Sequence, residues 1–366
     1  MAMDPSLVAR SADSTGSADA ATGGPNAAGG DPGHEGAGAR PGAGGFARYL
    51  LSKLGGAALS LLMVVFSAFF LFRILGGDPV DALTRDVPTT PAERVALREK
   101  LGLDDPLGLQ FLTYLQGVVT GDLGESYQYQ QPVTTLILER LGATVLLTGT
   151  ALVLAASLGL WIGTRAGWRQ GSRFDKTQVG VSLTLWSAPT FWFGMLVIMV
   201  FARYLGLFPI NGMVAPRTPD EFWPQTLDTL HHLVLPAVTM TAVIYAQYVL
   251  VMRSSILDEM GNDYLTTARA KGLRDARVRS RHAVPNALLP TVTLVFLQLG
   301  SVVGGAILTE TVFSWPGLGL LAYQALKIPD LPLLQGTFLF FSTAVILANT
   351  AADLVYRFLD PRVRHA

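Results

Sequence analysis

The amino-acid sequence predicts an all-α protein that crosses a membrane six times. Half of its 366 residues are hydrophobic and only 15% are charged, against about 25% in an average soluble domain. The few charges are also segregated. They leave six runs without an ionisable side chain, at residues 54–72, 141–164, 177–202, 233–252, 283–309 and 331–352. Each run is about as long as the ~20 residues that a helix needs to span the hydrocarbon core.

The runs favour helices over other ways of burying apolar residues. They show no alternation of polar and apolar positions, so barrel strands are not expected. A soluble all-α core would show a polar stripe along each helix, which these runs lack. The sequence therefore predicts a polytopic membrane protein with six transmembrane helices.

The chain divides into three parts. Residues 1–45 contain eleven Gly, eleven Ala and no aromatic residue. Such a segment buries too little apolar surface to offset its ordering entropy, so we expect a disordered cytoplasmic tail. Residues 46–141 hold the first span and a large outer loop. Residues 142–360 hold the remaining spans and an inner loop at 253–283.

Two helices are predicted in the large outer loop. Thr90 is placed to cap a short helix from Pro91 to Leu101, with Glu93 in its first turn. Residues 106–121 contain no charge and carry apolar residues at helical spacing. We interpret this stretch as an amphipathic helix that lies on the membrane or on the helix bundle, and not as a span.

Within the spans, glycine and proline predict local features. Gly159 and Gly163 form a G-x-x-x-G pair that lets two helix backbones approach closely. Pro189, in the middle of the third run, removes a backbone donor and predicts a kink.

The distribution of Lys and Arg predicts the orientation of the spans. With the N-terminus inside and the spans alternating, 18 of the 27 Lys and Arg residues fall on the inner side and 9 on the outer side. Positive residues favour cytoplasmic loops, so both termini are expected in the cytoplasm.

The charge balance and the missing cysteines exclude several kinds of function. The 27 Lys and Arg residues match 27 Asp and Glu residues, whereas nucleic-acid-binding proteins usually carry a basic excess. A chain without Cys has no disulfide, thiolate metal site or cysteine catalysis. Ion-driven carriers usually place an ionisable group inside the membrane, and the predicted spans contain none. We expect no catalytic or metal-binding residue, and energy for uphill transport would enter from outside the bilayer.

The inner loop 253–283 contains another short predicted helix. Asn262 or Asp263 is placed to cap a helix covering Tyr264 to Lys271. Gly272 follows where a left-handed residue commonly ends a helix.

One face of this short helix is apolar, with Tyr264, Leu265 and Ala268 at helical spacing. A helix of two turns is marginal alone and needs a surface to lie on. The sequence leaves two alternatives open: the groove of a partner protein, or the ends of the protein's own helices and the lipid headgroups.

At this loop the sequence resembles the permease subunits of ATP-binding cassette importers. Their signature is Glu-Ala-Ala, three residues, Gly, nine residues and Ile-x-Leu-Pro. The positions that agree here are Ala268, Gly272 and Pro285. The positions that depart are Thr266, Thr267 and His282.

Longer strings resemble one branch of these permeases, the B-type subunits of dipeptide, oligopeptide and nickel importers. The strings are GDLGES at 121–126, TARAKGL at 267–273, HAVPNALLP at 282–290, ETVFSWPGLG at 310–319 and LDPRVR at 359–364. They follow in order between the predicted spans, and the resemblance runs from about Phe46 to Arg364. Pro285 stands where this branch often has a basic residue, and the tail has no counterpart.

The resemblance implies the transmembrane domain of a type I ATP-binding cassette importer in a bacterial cytoplasmic membrane. The short helix would be the coupling helix, seated in a cytoplasmic ATPase. Its residues are Tyr264, Leu265, Thr266, Thr267, Ala268, Arg269, Ala270, Lys271 and Gly272.

The resemblance also implies partners. The chain has no G-x-x-x-x-G-K-[ST] phosphate loop, so it is not itself an ATPase and no cofactor is expected on it. ATP and Mg would be bound by two ATP-binding cassette subunits or domains. A homologous second permease subunit would complete the path, and an extracytoplasmic solute-binding protein would deliver the substrate.

Peptides are the expected substrate. The alternatives are nickel or another small solute carried by the same architecture, and a channel or sensor component that does not pump. Candidate path-lining residues are Trp186, Tyr245, Gln247 and Gln298, which are polar or aromatic in mid-span, although helix packing is the favoured interpretation of each.

Glu310 lies at the outer end of the fifth span and has two interpretations. It contacts the substrate or the binding protein, or it anchors the turn at Pro316 and Gly317. We favour the anchor.

Overall fold

The computed structural model describes residues 43–75, 80, 84, 89–100 and 102–359. Their α-helices, numbered in chain order, are α1 Ala43–Leu75, α2 Pro91–Lys100, α3 Leu107–Thr120, α4 Val133–Trp168, α5 Arg173–Ser187, α6 Thr190–Val197, α7 Phe222–Met260, α8 Asp263–Ala270, α9 Asp275–Val278, α10 Val284–Phe313, α11 Leu318–Lys327 and α12 Leu331–Leu359. Wider π-helical turns extend α6 over Ile198–Tyr204 and join α9 to α10 over Arg279–Ala283. The predicted tail lies outside the described residues as far as residue 42.

Five of the six charge-free runs are helical throughout, and the run at 177–202 is helical except at Ala188 and Pro189. By length and hydropathy, four helices are able to cross a membrane: α1 over Arg48–Arg73, α4, α7, and α12 over Leu331–Leu354. The pair formed by α5 and α6 makes a fifth if it is one broken span. The 30-residue α10 covers the run at 283–309. The prediction of an all-α membrane protein is confirmed.

The predicted kink at Pro189 is a break between two helices. α5 ends at Ser187, Pro189 precedes α6 with an extended ψ of 128°, and the two segments are bent by 105°. Proline has no amide hydrogen to continue the ladder of α5, and its fixed φ suits the position before the first residue of α6. The missing hydrogen alone does not force a break, since α7 and α10 continue through Pro236 and Pro290.

α4 and α7 form the closest helix pair. A Cβ at Gly159 would lie 2.2 Å from the Tyr248 Cβ, and one at Gly163 would lie 2.7 Å from the Val249 carbonyl oxygen. Only glycine fits at such distances, so the close approach predicted for the G-x-x-x-G pair is confirmed.

The outer loop contains the two predicted helices. Thr90 and Glu93 cap α2 reciprocally: the Glu93 amide donates to Thr90 Oγ1 at 3.3 Å, and the Thr90 amide donates to Glu93 Oε2 at 2.7 Å. In α3, the ring of Phe111 lies 5.4 Å from that of Phe69 in α1. The next residue of α3, Leu112, is exposed. The amphipathic helix therefore rests on the bundle with a second apolar face outward.

Candidate functional site

The short helix of the inner loop is present and shifted by one residue. α8 covers Asp263–Ala270, where Tyr264 to Lys271 was predicted. Asn262 stands at the capping position, but its side chain donates to Glu259 Oε2 at 3.1 Å and does not cap α8. The predicted side-chain cap from Asn262 is therefore absent, and Asp263, the other predicted cap, is the first residue of α8 itself.

The left-handed turn predicted at Gly272, after the end of α8, is present. Gly272 has a φ of +79°, the left-handed conformation that glycine adopts without strain. Its amide donates to the Arg269 carbonyl at 2.9 Å. No atom lies within 4 Å of the position that a Cβ would take, so within this chain the space in front of Gly272 is open.

The apolar face of α8 packs against the protein's own helices. Leu265 is fully buried and Ala268 is 6% exposed. Their cluster includes Met252 and Ile256 at the end of α7, and Ala287 in α10. The sequence left two alternatives for this face, a partner's groove or the protein's own helix ends. In the structure it packs on the protein's own helices, so Leu265 and Ala268 are not free to enter a partner's groove.

The hydroxyl of Tyr264 connects α8 to both neighbouring long helices. It donates to Glu259 in α7 and accepts from Asn286 Nδ2 in α10 at 3.0 Å. Burial, and then the hydrogen bond to Glu259, raises the pKa of Tyr264. The phenol therefore stays protonated and keeps both bonds at neutral pH.

The opposite face of α8 is exposed and basic. Arg269 lies 5.5 Å from the centre of the Trp168 ring and 3.8 Å from Asp275. Trp168 Nε1 in turn donates to Asp275 Oδ2 at 2.6 Å. The other exposed residues of this face and the turn after it are Thr266, Thr267, Ala270, Lys271 and Gly272.

An ion pair fixes the helix end from which this loop departs. Arg253, near the end of α7, donates through Nε to Asp175 Oδ1 at 2.6 Å and through Nη2 to Oδ2 at 2.9 Å. The Asp175 side chain is 3% exposed and also accepts from the Gly171 amide at 2.9 Å. This pair was not predicted from the sequence, although Asp175 is the single acidic residue among four basic ones in the inner loop 164–176.

The four candidate path-lining residues do not form one group. Tyr245 is 7% exposed, and its hydroxyl lies 3.5 Å from Ser182 Oγ. Gln298 in α10 donates to Gln247 in α7 at 2.5 Å. Trp186, near the end of α5, is 56% exposed. Their role in lining a path stays a prediction.

Glu310 anchors the turn that follows α10. It is fully buried. Its Oε1 accepts from Thr144 Oγ1 at 2.7 Å, and its Oε2 accepts from the Leu320 amide at 3.0 Å. A buried side chain with these partners fits the favoured interpretation of an anchor.

Comparison with known proteins gives matches along nearly all of the chain after the tail. The family described as binding-protein-dependent transport system inner membrane component matches residues 136–365, and its N-terminal counterpart matches residues 46–148. The dipeptide transport system permease protein DppB of Escherichia coli is 38% identical over 335 residues, covering 87% of this chain and 99% of the relative.

Two further matches are a permease of Bacillus subtilis and a solved structure. The oligopeptide transport system permease protein AppB of Bacillus subtilis is 35% identical over 306 residues, covering 83% of this chain and 95% of the relative. An inward-facing form of the MetNI methionine ABC transporter aligns with a TM-score of 0.48 and 18% identity. It covers 62% of this chain and 96% of that one.

Proposed function

Since the chain belongs to the family of binding-protein-dependent transport system inner membrane components, we propose that it is the permease subunit of an ATP-driven peptide importer. It would form half of the translocation path. The observation that carries the proposal is the match to peptide permeases over 99% and 95% of their lengths, which includes the outer loop as well as the membrane core. Nothing in the matches favours nickel, another small solute or a channel that does not pump.

The partners follow from the family. A homologous permease subunit supplies the other half of the path, and an extracytoplasmic solute-binding protein delivers the peptide. Two cytoplasmic ATP-binding cassette subunits or domains bind ATP and Mg and hydrolyse the nucleotide. The chain lies in a bacterial cytoplasmic membrane with both termini inside, an orientation supported by the excess of Lys and Arg on that side.

The exposed face of α8 is the surface that meets the ATPase. Thr267, Ala270 and Lys271 point away from the bundle and lie beside the open turn at Gly272. The buried face holds the helix to the spans. This division of faces supports a role in which α8 receives motion on one side and passes it on from the other.

Motion of α8 is carried into α7 and α10 because the three are fastened together. Leu265 and Ala268 pack on both long helices, and Tyr264 is hydrogen-bonded to both. Farther along the same two helices, Gln247 and Gln298 are paired. When the ATPases close on ATP, a shift of α8 therefore moves both helices, and each state of the path is stabilised by contacts that the other lacks.

Peptide uptake by the assembled importer in proteoliposomes tests the proposal. The two permease subunits and the ATPase subunits are reconstituted together, with the binding protein on one side of the membrane and ATP on the other. We expect saturable accumulation of a labelled dipeptide that requires ATP and the binding protein. ATP-driven uptake of nickel without peptide uptake would show that nickel, and not a peptide, is the substrate. Flux that is independent of ATP would support the channel instead.

A further inference from the structure

Two of the strings that carry the family resemblance take no part in coupling. GDLGES at 121–126 and ETVFSWPGLG at 310–319 lie far apart in the sequence. Glu310 is about 40 Å along α10 from the end that holds α8, since a helix rises 1.5 Å per residue. In the structure both strings lie near the short helix α11. The string 310–319 supplies the buried carboxyl group of Glu310, and Ser126 at the end of the string 121–126 contacts the buried carboxyl group of Asp330.

Glu310 closes the first end of α11. Leu318, Gly319 and Leu320 are the first three residues of that helix, and amides at such a position have no partner within the helix. The Leu320 amide donates to Glu310 Oε2 at 3.0 Å. No local side chain caps α11, so Glu310 serves as its cap from the preceding helix.

Thr144 extends this arrangement to α4. Its hydroxyl donates to Glu310 Oε1 at 2.7 Å and accepts from the Leu318 amide at 2.8 Å. One residue earlier, the Ala143 carbonyl accepts from Trp315 Nε1 at 2.8 Å. Three fully or almost fully buried side chains therefore join α4, α10 and α11. A Cβ on Gly317 would lie 2.4 Å from the Glu310 carboxyl group, which leaves no space for a looser arrangement.

Asp330 lies between α11 and α12, and its backbone amide donates to the Ala325 carbonyl at 3.0 Å, which closes the last turn of α11. It is 1% exposed and caps α12 by accepting from the Leu333 amide at 3.2 Å. It also accepts from Ser126 Oγ at 2.5 Å and from the Gln128 amide at 3.0 Å. The end of the GDLGES string is thereby tied to the junction of α11 and α12.

Apolar contacts fill the space between the two carboxyl groups. Leu318 and Leu321 of α11 are buried against Val133 and Leu136 in the first turn of α4 and against Leu333 of α12. The whole unit is held by burial as well as by hydrogen bonds, and burial of such side chains is the larger contribution.

We propose that Glu310 is a positioning residue that clamps α11 to the first half of α4 through Thr144, while Asp330 ties the segment before α4 to the junction of α11 and α12, so that α4 and α11 move as one rigid block during transport. The proposal rests on the transport cycle of the proposed function. The block lies at the end of the bundle opposite α8, where the path must open and close for the binding protein. Polar contacts to a carboxyl group suit a clamp, because removing one partner leaves the others buried and unpaired.

Distance measurements between two spin labels test the clamp in the assembled importer. Leu138→Cys in α4 and Leu326→Cys in α11 are suitable sites, since these side chains are 62% and 66% exposed. The chain has no Cys of its own, and cysteines of the other subunits are replaced. We expect a narrow distance distribution that is the same in the resting and the ATP-trapped importer. A distance that differs between the two states would overturn the proposal.

Substitutions at Thr144 supply the matched pair. Thr144→Val keeps the shape but removes the hydroxyl, whereas Thr144→Ser keeps the hydroxyl. Loss of this hydrogen bond to the buried carboxyl group leaves a carboxyl oxygen unpaired and should raise the undocked population of α11 by about 10- to 100-fold. We expect a broadened distribution and slower peptide uptake with Thr144→Val, and recovery of both with Thr144→Ser. Glu310→Gln should resemble Thr144→Val, because its amide NH2 would face donors.

The distance measurements and the uptake assay together separate failure of the clamp from failure of the proposed function. An unchanged distribution in Thr144→Val and Glu310→Gln contradicts the clamp even if wild-type uptake is normal. Loss of uptake with a narrow distribution would also contradict it, since uptake would then fail for another reason. If the wild type shows no ATP-dependent uptake, the proposed function fails. The distance distributions of the wild type and the variants in the resting state still decide whether the clamp exists.

Discussion

Replacing Gly272 by Asp should uncouple transport from the ATPase without unfolding the protein. Gly272 has a φ of +79°, and a residue with a side chain pays roughly 1–2 kcal/mol for that conformation. The fully buried Leu265 contributes about 2–3 kcal/mol toward keeping α8 in place. Because no atom of this chain lies within 4 Å of the new Cβ, no clash adds to the strain. α8 is therefore expected to stay docked on the spans.

Under the proposed function, the new side chain instead occupies the space in which the ATPase would be seated. Each 1.4 kcal/mol lost at that contact lowers the coupled population about tenfold. We expect peptide uptake and substrate-stimulated ATP hydrolysis to fall at least that far, while membrane insertion and thermal stability in detergent remain near wild type. Uptake and ATPase rates are measured on the same proteoliposomes.

Gly206→Asp is the matched control. Gly206 has a φ of +61° and open space at its Cβ position, so the backbone strain and the added charge are alike. It lies in the loop after α6, on the other side of the membrane from α8 in the expected orientation. Uptake should survive in this variant. Normal uptake in Gly272→Asp, or equal loss in both variants, would refute the assignment of α8 as the coupling helix.

Three further substitutions test the helix contacts. Gly163→Ala places a Cβ 2.7 Å from the Val249 carbonyl oxygen and should cost about 1–3 kcal/mol. Gly149→Ala in the same helix meets no atom within 4 Å and should be neutral or stabilising by up to about 1 kcal/mol. Equal melting temperatures in detergent would argue against the close α4–α7 contact. Asp175→Asn should cost roughly 2–3 kcal/mol, less than for a fully buried pair because Arg253 is partly exposed. A melting temperature unchanged by this substitution would show that the ion pair is not formed.

The spans could be predicted because their signal is local. A run of about 20 residues without charge needs no knowledge of its neighbours to be assigned as a membrane helix. The disturbance at Pro189 is local too, since proline lacks an amide hydrogen. That the helix breaks there is not a local property, because α7 and α10 continue through Pro236 and Pro290. The angle of 105° at this break could not be predicted, because it depends on contacts such as that of Gly194 with Phe313 in α10.

The ends of α8 could be predicted to within one residue, but not the direction of its faces. Left-handed Gly272 is a local stop signal. The residues that bury Leu265 come from the end of α7 and from α10, and no pattern within the loop identifies them. Periodicity shows that a helix has an apolar face and does not show what covers it.

α11 was missed because its cap is not local. The residues around its start, Gly317 and Leu318, offer no side-chain oxygen, and the acceptor is supplied by Glu310 from the preceding helix. A sequence search for Ser, Thr, Asp or Asn before a helix cannot find such a cap. The one available signal was an acidic residue at the end of an apolar span, which the anchor interpretation of Glu310 used.

Cross-linking from neighbouring positions of α8 tests the account most directly. Thr267→Cys and Ala268→Cys differ by one residue, yet position 267 is exposed and Ala268 is 6% exposed. The chain contains no other Cys. In the assembled importer we expect a short thiol-reactive cross-linker to join position 267 to the ATPase subunit and to leave position 268 unlinked. Cross-linking to the ATPase from position 268 alone, or from neither position, would contradict the account.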